Sequence, residues 1–98
     1  MDIRYRLHGI TFVWDREKAR TNPVRHKGVT FEQAAEAFFD PFLKVVDASR
    51  QGEPRDALIG MDKGWRLLVV VHLEQADETM RLISARKATR KEREEYET

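Results

Sequence analysis

The sequence predicts an α+β fold in which helices pack on an antiparallel sheet. Two observations predict it: several stretches alternate apolar with polar residues, as strands do, and two stretches carry the capping box that begins a helix. With 98 residues and 41% hydrophobic content, the chain can build one compact core, so residues 1–98 should form a single domain. The predicted order is strand, strand, helix, helix, four strands and helix.

Two strands are predicted at the amino terminus. Residues 3–7 alternate apolar side chains with arginines, and residues 10–14 are rich in aromatic and β-branched side chains. Gly9 separates the two stretches. Residues 1–10 are therefore expected to be either an N-terminal extension or an extra strand.

Two helices follow these strands. Asp15 is a suitable N-cap for a helix that starts at Arg16, and Pro23 should end or kink this helix because it lacks an N–H group. Thr30-Phe31-Glu32-Gln33 is a capping box that begins the second helix, and Asp40-Pro41 should end it.

The rest of the chain predicts four strands and a final helix. The strands are expected at residues 42–46, 57–59, 66–73 and 79–85. The apolar run at 67–71 indicates a central strand buried on both faces, and Asp62-Lys63-Gly64 should form the hairpin turn before it. A second capping box, Thr89-Arg90-Lys91-Glu92, begins a helix that should reach about Tyr96.

The near-neutral net charge of +1 conceals an uneven distribution. Residues 1–28 hold seven basic and three acidic side chains, residues 29–80 five and ten, and residues 81–98 six and four, for net charges of +4, −5 and +2. If the two ends meet in space, they would form a basic face that attracts phosphates. A surface of mutually paired charges without a ligand is the alternative.

Several classes of protein are excluded. The absence of cysteine rules out a disulfide framework, a Cys-based zinc site and a thiol nucleophile. His8, His26 and His72 lie in different elements without a metal-binding spacing, and no Gly-rich loop precedes a helix, so neither a metal nor a nucleotide cofactor is expected. The start of the chain lacks the apolar stretch of a secretory signal, and no stretch is long enough to cross a bilayer, so a cytoplasmic protein is expected.

Cations recur where the predicted elements meet. Arg25-His26-Lys27 lies at the turn between two helices, Arg55 follows a polar loop, and Arg86-Lys87 lies between the last strand and the last helix. The planar fork of arginine suits phosphate, and histidine can move a proton near neutral pH. Such a set could cleave RNA, with a base taking the proton of a ribose 2′-OH and cations stabilising the charge on the phosphate.

Two groups of residues form longer motifs. The first comprises Phe12-x-Trp14-Asp15-x-x-Lys18, Asn22, His26 and Gly28-Val29-Thr30-Phe31-Glu32-x-Ala34. The second comprises Asp40-Pro41, Gly52-Glu53-Pro54-Arg55, Ile59-Gly60, and Ile83-Ser84-Ala85-Arg86-Lys87-Ala88-Thr89 with Glu92 and Tyr96. In this order, over residues 12–97, the motifs resemble the BrnT family of type II toxins.

The resemblance implies a RelE-like fold, with a helix pair and a terminal helix on an antiparallel sheet. It implies a metal-independent endoribonuclease that arrests translation when it is free. It also implies a partner, a BrnA-like ribbon-helix-helix antitoxin that masks the toxin and brings the complex to operator DNA.

Within this framework, Arg86 and Arg55 are the candidates for binding the scissile phosphate, and His26 is the candidate for proton transfer. Either arginine could instead form only a local salt bridge. The candidate RNA-binding residues are Lys18, Arg25, Lys27, Lys87, Arg90 and Tyr96. Tyr96 could equally pack under the terminal helix, whereas Trp14 fits core packing better than base stacking.

Two other functions stay open at this point. The same basic surface could belong to a non-catalytic module that docks an antitoxin or DNA. Catalysis would then be lost through the loop at His26, because Arg25-His26-Lys27-Gly28 is one residue longer than the Lys-His-Gly common in the family. A housekeeping RNA-binding domain is the third possibility. RNA cleavage by the purified chain separates the first hypothesis from the second, and the identity of the neighbouring reading frame tests the third.

Overall fold

A computed structural model describes residues 1–98 as a six-stranded sheet with three helices, which is an α+β fold. The elements are β1 (Asp2–Leu7), β2 (Ile10–Asp15), α1 (Arg16–Arg25), α2 (Phe31–Ala37), β3 (Lys44–Asp47), β4 (Asp56–Met61), β5 (Leu67–Gln75), β6 (Thr79–Lys87) and α3 (Arg90–Glu97). This order confirms the predicted succession of strands and helices, and residues 1–10 contribute a strand. None of the helices is long and apolar enough to cross a membrane.

The sheet is mixed, so the prediction of a purely antiparallel sheet was wrong. The strand order is β1-β2-β6-β5-β4-β3, and β2 pairs with β6 in parallel through residues 11–13 and 79–81, while the other neighbours are antiparallel. Alternation of apolar and polar residues identifies strands but carries no information about the relative direction of two strands that are distant in sequence. Here the amino-terminal hairpin attaches to the last strand of the chain.

Pro23 was predicted to end or kink helix α1; the helix does not end there but continues to Arg25. Proline removes one N–H donor, and this loss is small here because the helix ends two residues later. Two backbone bonds close the helix around the proline: His26 N–H donates to the Asn22 carbonyl at 2.9 Å, and Gly28 N–H donates to the Pro23 carbonyl at 2.7 Å. The turn that carries His26 is therefore fixed to the end of α1.

Strand β3 begins at Lys44 rather than at residue 42. The backbone N–H of Phe42 donates to Asp40 Oδ1 at 2.9 Å, so this residue belongs to the turn after α2. The Phe42 side chain is 73% exposed. An aromatic residue before a β-branched pair imitates a strand, but the aspartate two residues earlier captures its backbone in a turn.

Each face of the sheet has its own core. Trp14, Phe31 and Leu68 belong to the larger core, which α1 and α2 cover, and Leu67 and Val69 belong to the smaller core, against which Tyr96 of α3 packs. The alternating residues of β5 thus enter both cores, which confirms the central strand buried on both faces. Trp14 is 1% exposed, as expected of a core residue.

Candidate functional site

Three adjoining cavities form one basic surface between α1, the start of α3 and the sheet face that bears the smaller core. The first, of about 430 Å³, lies over Val69 and Ile83 and is lined by Arg50, Arg55, Arg86 and Glu92. The second, of about 320 Å³, is lined by Lys18, Arg25, His26 and Ser84, and the third, of about 410 Å³, by Arg25, His26, Lys27, Arg86 and Lys87. We call this surface the basic face.

The basic face collects seven of the nine residues that the sequence singled out. These are Lys18, Arg25, His26, Lys27, Arg55, Arg86 and Lys87. They come from α1 and the turn after it, from the loop before β4 and from the end of β6. Cations far apart in the chain therefore meet on one concave surface, whose lining includes a single carboxylate, Glu92.

Arg86 is held by Glu92 through a bidentate pair. Its Nη1 and Nη2 donate to the two carboxylate oxygens of Glu92 at 2.7 and 2.8 Å. The hydrogen bonds from Arg86, opposed by burial, lower the pKa of Glu92 from its ordinary 4.5 to about 2, and the same contact raises the pKa of the Arg86 guanidinium. The Arg86 side chain is still 40% exposed, so a ligand in the cavity can reach it.

Arg55 is also paired with a carboxylate, though more weakly. Its Nη2 donates to Glu53 Oε2 at 3.0 Å, and the Glu53 side chain is 70% exposed. An ion pair so open to water contributes little energy, because solvent and salt screen it. Arg55 and Arg86 thus each have a carboxylate partner, and both line the same 430 Å³ cavity.

His26 lies at the end of α1, where two of the three cavities meet. Its backbone is fixed by the bond to the Asn22 carbonyl. Its imidazole forms no hydrogen bond with another protein group, so both ring nitrogens are available to a ligand. Arg25 lines the same two cavities.

Asn22 is a residue of the site that sequence reasoning did not assign a role. It is buried, and its Nδ2 donates to the carbonyl oxygens of Val29 and Ala85, both at 2.8 Å, while its Oδ1 accepts from Ala85 N–H at 3.4 Å. The side-chain amide thus binds the edge of β6 beyond the point where β2 stops pairing with it. This contact fixes α1, and with it His26, beside the strand that carries Arg86.

Ser84 is a second residue that sequence reasoning missed as part of the site. It lines the first two cavities, next to Ile83. Leu82 lies in the larger core, on the opposite face of the sheet. Ser84 lies on the face of Arg86 because the irregular pairing of β5 and β6 near His72 adds one residue between Leu82 and Ser84. A motif could indicate that Ser84 lies near Arg86 in sequence, but only the strand register shows that it lies in the cavity.

Two predicted RNA-binding residues lie away from the basic face. Arg90 is 95% exposed, lines no cavity and is 3.7 Å from Glu94. The hydroxyl of Tyr96 donates to Asp40 Oδ2 at 2.6 Å, and its ring packs against the smaller core. Burial and this hydrogen bond raise the pKa of Tyr96 to about 12. Of the two roles considered for Tyr96, the structure shows the packing role.

His72 and a cavity near Trp65 lie outside the basic face. His72 is buried, with Nδ1 3.1 Å from the Val70 carbonyl and its ring edge-on to Phe38. A separate cavity of about 310 Å³ near Trp65 is lined by Asp40 and Asp62, but the carboxylates of both accept bonds from neighbouring N–H groups. No group of three or more histidine or carboxylate side chains is arranged to hold a metal ion.

One family model matches most of the chain. The family model described as "Ribonuclease toxin, BrnT, of type II toxin-antitoxin system" matches residues 14–92, which include every residue of the basic face. No curated protein matches the chain. The match confirms the resemblance predicted from the motifs. This chain therefore belongs to the BrnT family of ribonuclease toxins of type II toxin-antitoxin systems.

Proposed function

We propose that this chain cleaves RNA at the basic face without a metal ion, and that the cleavage arrests translation. The observation that carries the proposal is the convergence of seven permanent cations and one histidine on adjoining cavities that contain one carboxylate. Such a surface neutralises the phosphates of a nucleic acid and stabilises the extra charge of a phosphoryl transition state. The family membership supports ribonuclease activity in general.

The proposed reaction is an attack by the ribose 2′-oxygen on the adjacent phosphorus. His26 takes the proton of the 2′-OH, the new P–O bond forms, and the bond to the 5′-oxygen breaks, leaving a 2′,3′-cyclic phosphate. The departing 5′-oxygen receives a proton from a neighbouring lysine, for which Lys27 is the candidate. Arg86 and Arg55 hold the non-bridging phosphate oxygens, and their planar forks fix the geometry of the attack.

The lining of the basic face favours recognition of phosphates over recognition of bases. Proteins that bind single-stranded RNA commonly stack bases on Phe, Tyr or Trp. None of the three cavities is lined by such a side chain. We therefore expect binding that depends strongly on salt and weakly on base sequence.

A type II toxin has an antitoxin partner, and we propose that here it is a BrnA-like ribbon-helix-helix protein. The complex would bind operator DNA through the antitoxin, and the toxin would act in the cytoplasm. Co-expression with the protein encoded by the neighbouring reading frame tests this pairing, since a cognate antitoxin restores growth and co-purifies with the toxin.

The central experiment compares Arg86→Ala with Arg90→Ala. Removing one donor to a developing oxyanion costs about a hundredfold or more in rate, so Arg86→Ala should lose most RNA cleavage and most growth arrest. Arg90→Ala, outside the basic face, should retain both. Cleavage is measured on purified, antitoxin-free protein with EDTA present, and thermal unfolding establishes that both variants are folded.

A folded Arg86→Ala variant with undiminished cleavage contradicts the assignment of Arg86, and loss of wild-type cleavage in EDTA contradicts metal independence.

A second candidate function is a non-catalytic module that only docks its partner. The pairing of Arg55 with Glu53 and of Arg86 with Glu92 favours it. Intact RNA together with tight antitoxin binding would identify that function.

A further inference from the structure

Glu92 occupies the position in the basic face where a phosphate is expected. Its two oxygens lie 2.7 and 2.8 Å from the two terminal nitrogens of Arg86. A phosphodiester offers two non-bridging oxygens to an arginine fork in the same bidentate manner. Since Arg86 cannot make both bidentate pairs at once, a bound phosphate competes with Glu92.

Helix α3 has other contacts besides this pair. Thr89 Oγ1 accepts from Glu92 N–H at 3.2 Å, and Glu92 Oε1 accepts from Thr89 N–H at 2.8 Å, which completes a capping box. At the other end of the helix, Tyr96 is bound to Asp40 at 2.6 Å. Glu92 can therefore release Arg86, keep its bond to Thr89 and leave the helix in place.

We propose that Glu92 is a resident competitor for the phosphate-binding fork of Arg86, and that RNA binds by displacing its carboxylate. The inference rests on the proposed function, since it takes the basic face to be the RNA-binding surface. If Arg86 were free of Glu92, the toxin would have a higher affinity for any phosphate that reaches the cavity. The competing carboxylate thus makes the toxin selective for ligands that offer several phosphates at once, as an RNA strand does.

The state of Glu92 agrees with a competitor rather than with a catalytic base. Its low pKa, about 2, means that the carboxylate is charged throughout the neutral range and accepts protons poorly. The apolar floor of the same cavity, which includes Ala57, Val69 and Val71, provides no other anion. Glu92 is therefore the one negative group that a phosphate meets there.

The test compares Glu92→Gln with Glu95→Gln. Glutamine at 92 can still accept from Thr89 N–H, so the capping box survives, while the charge that competes for Arg86 is lost. Glu95 is exposed on the same helix, and its substitution makes the same change in net charge away from the cavity. The probes are a fluorescent 2′-O-methyl RNA oligonucleotide, which cannot be cleaved through its 2′-oxygen, and inorganic phosphate as a competitor.

We expect Glu92→Gln to bind the oligonucleotide about five- to tenfold more tightly than wild type, given the usual strength of a charged, partly exposed pair. Inorganic phosphate should compete more effectively in this variant, and Glu95→Gln should stay within about twofold of wild type because salt screens exposed charges. Thermal unfolding checks that both variants fold. Affinity for Glu92→Gln no higher than for Glu95→Gln overturns the proposal, and weaker binding would mean that Glu92 only positions Arg86.

The experiment distinguishes failure of the proposed competition at Arg86 from failure of the nuclease assignment. If wild type cleaves no RNA but Glu92→Gln binds the oligonucleotide more tightly, the nuclease assignment is wrong and the competition is supported. If wild type cleaves RNA and the substitution brings no gain in affinity, the competition is wrong and the nuclease assignment stands.

Discussion

At the scale of single residues, Asn22 connects the fold to the site. Where β2 stops pairing with β6, the buried backbone of Ala85 needs partners, and the Asn22 amide supplies a donor and an acceptor. The same amide binds the Val29 carbonyl, which follows the turn that carries His26. One buried side chain thus connects the segment that carries His26 to the strand that carries Arg86.

Replacing Asn22 should destabilise the fold. Asn22→Ala leaves buried backbone groups of Val29 and Ala85 without partners, which costs about 1 to 3 kcal/mol of unfolding free energy. Urea denaturation measures this loss. Thr21→Ala, at the neighbouring position with bonds only to carbonyls of its own helix, is the control and should cost less. An equal effect of the two substitutions would contradict the bridging role of Asn22.

The pair of Glu92 with Arg86 should also appear in the pH dependence of stability. Because folding lowers the pKa of Glu92 from 4.5 to about 2, its contribution is complete above pH 4.5 and is lost as the pH falls toward 2. Wild type should therefore be more stable than Glu92→Gln at pH 6, and the difference should shrink by pH 3. Urea midpoints at the two pH values test this, and a constant difference would mean that the carboxylate charge does not stabilise the fold.

At the scale of elements, the close contact of α2 with β4 depends on a residue without a side chain. A Cβ at Gly60 would lie 2.6 Å from the backbone carbonyl oxygen of Ala37, the last residue of the helix. Neither backbone can move away easily, because Asp40 just beyond the helix binds Met61 N–H at 2.8 Å. Gly60 is thus the position at which the helix and the strand touch.

Gly60→Ala should destabilise the protein by about 1 to 3 kcal/mol, the usual cost of overpacking. Gly64→Ala is the matched control: its Cβ would come no nearer than 3.4 Å to Asp62 Oδ1, which is an ordinary contact. Chemical denaturation of the two variants gives the comparison. Equal stability of the two variants would show that α2 can shift away from β4 without cost.

Most elements could be predicted from the sequence because their signals are local. Capping boxes at Thr30 and Thr89 mark the starts of α2 and α3, and the apolar run of β5 marks the central strand. The features that the sequence did not predict have non-local causes. The continuation of α1 through Pro23 depends on bonds to the following turn, and the parallel pairing of β2 with β6 joins strands that are more than sixty residues apart.

The site could be predicted in part, for the same reason. Residue types suited to phosphate were visible in the sequence, and seven of nine candidates line the basic face. Arg90 lies outside the basic face because its side chain points to solvent, which depends on the rotation of α3 against the sheet. Asn22 was missed because an asparagine in a helix reveals nothing about its partner 63 residues away.

At the scale of the whole molecule, folding collects the basic segments of the chain on one surface. The basic amino-terminal and carboxy-terminal segments meet where α1 packs against β6, while the acidic middle segment contributes only Arg50, Arg55 and apolar side chains to the cavities. A protein with a net charge of +1 thus presents a strongly cationic surface. Local potential rather than net charge governs the encounter with a polyanion.

This arrangement predicts how RNA binding responds to salt. Each cation that contacts a phosphate of single-stranded RNA releases about 0.7 counterion equivalents, so log Kd against log salt should rise with a slope set by the number of contacts. Lys18 lines the 320 Å³ cavity, so Lys18→Ala should lower the slope by about 0.7. Arg90→Ala removes the same charge from the protein, but from a side chain that is 95% exposed and outside the cavities, and should leave the slope unchanged. Titrations of 2′-O-methyl RNA at several salt concentrations measure both. Equal slopes for the two variants would mean that total charge, and not the basic face, attracts the RNA.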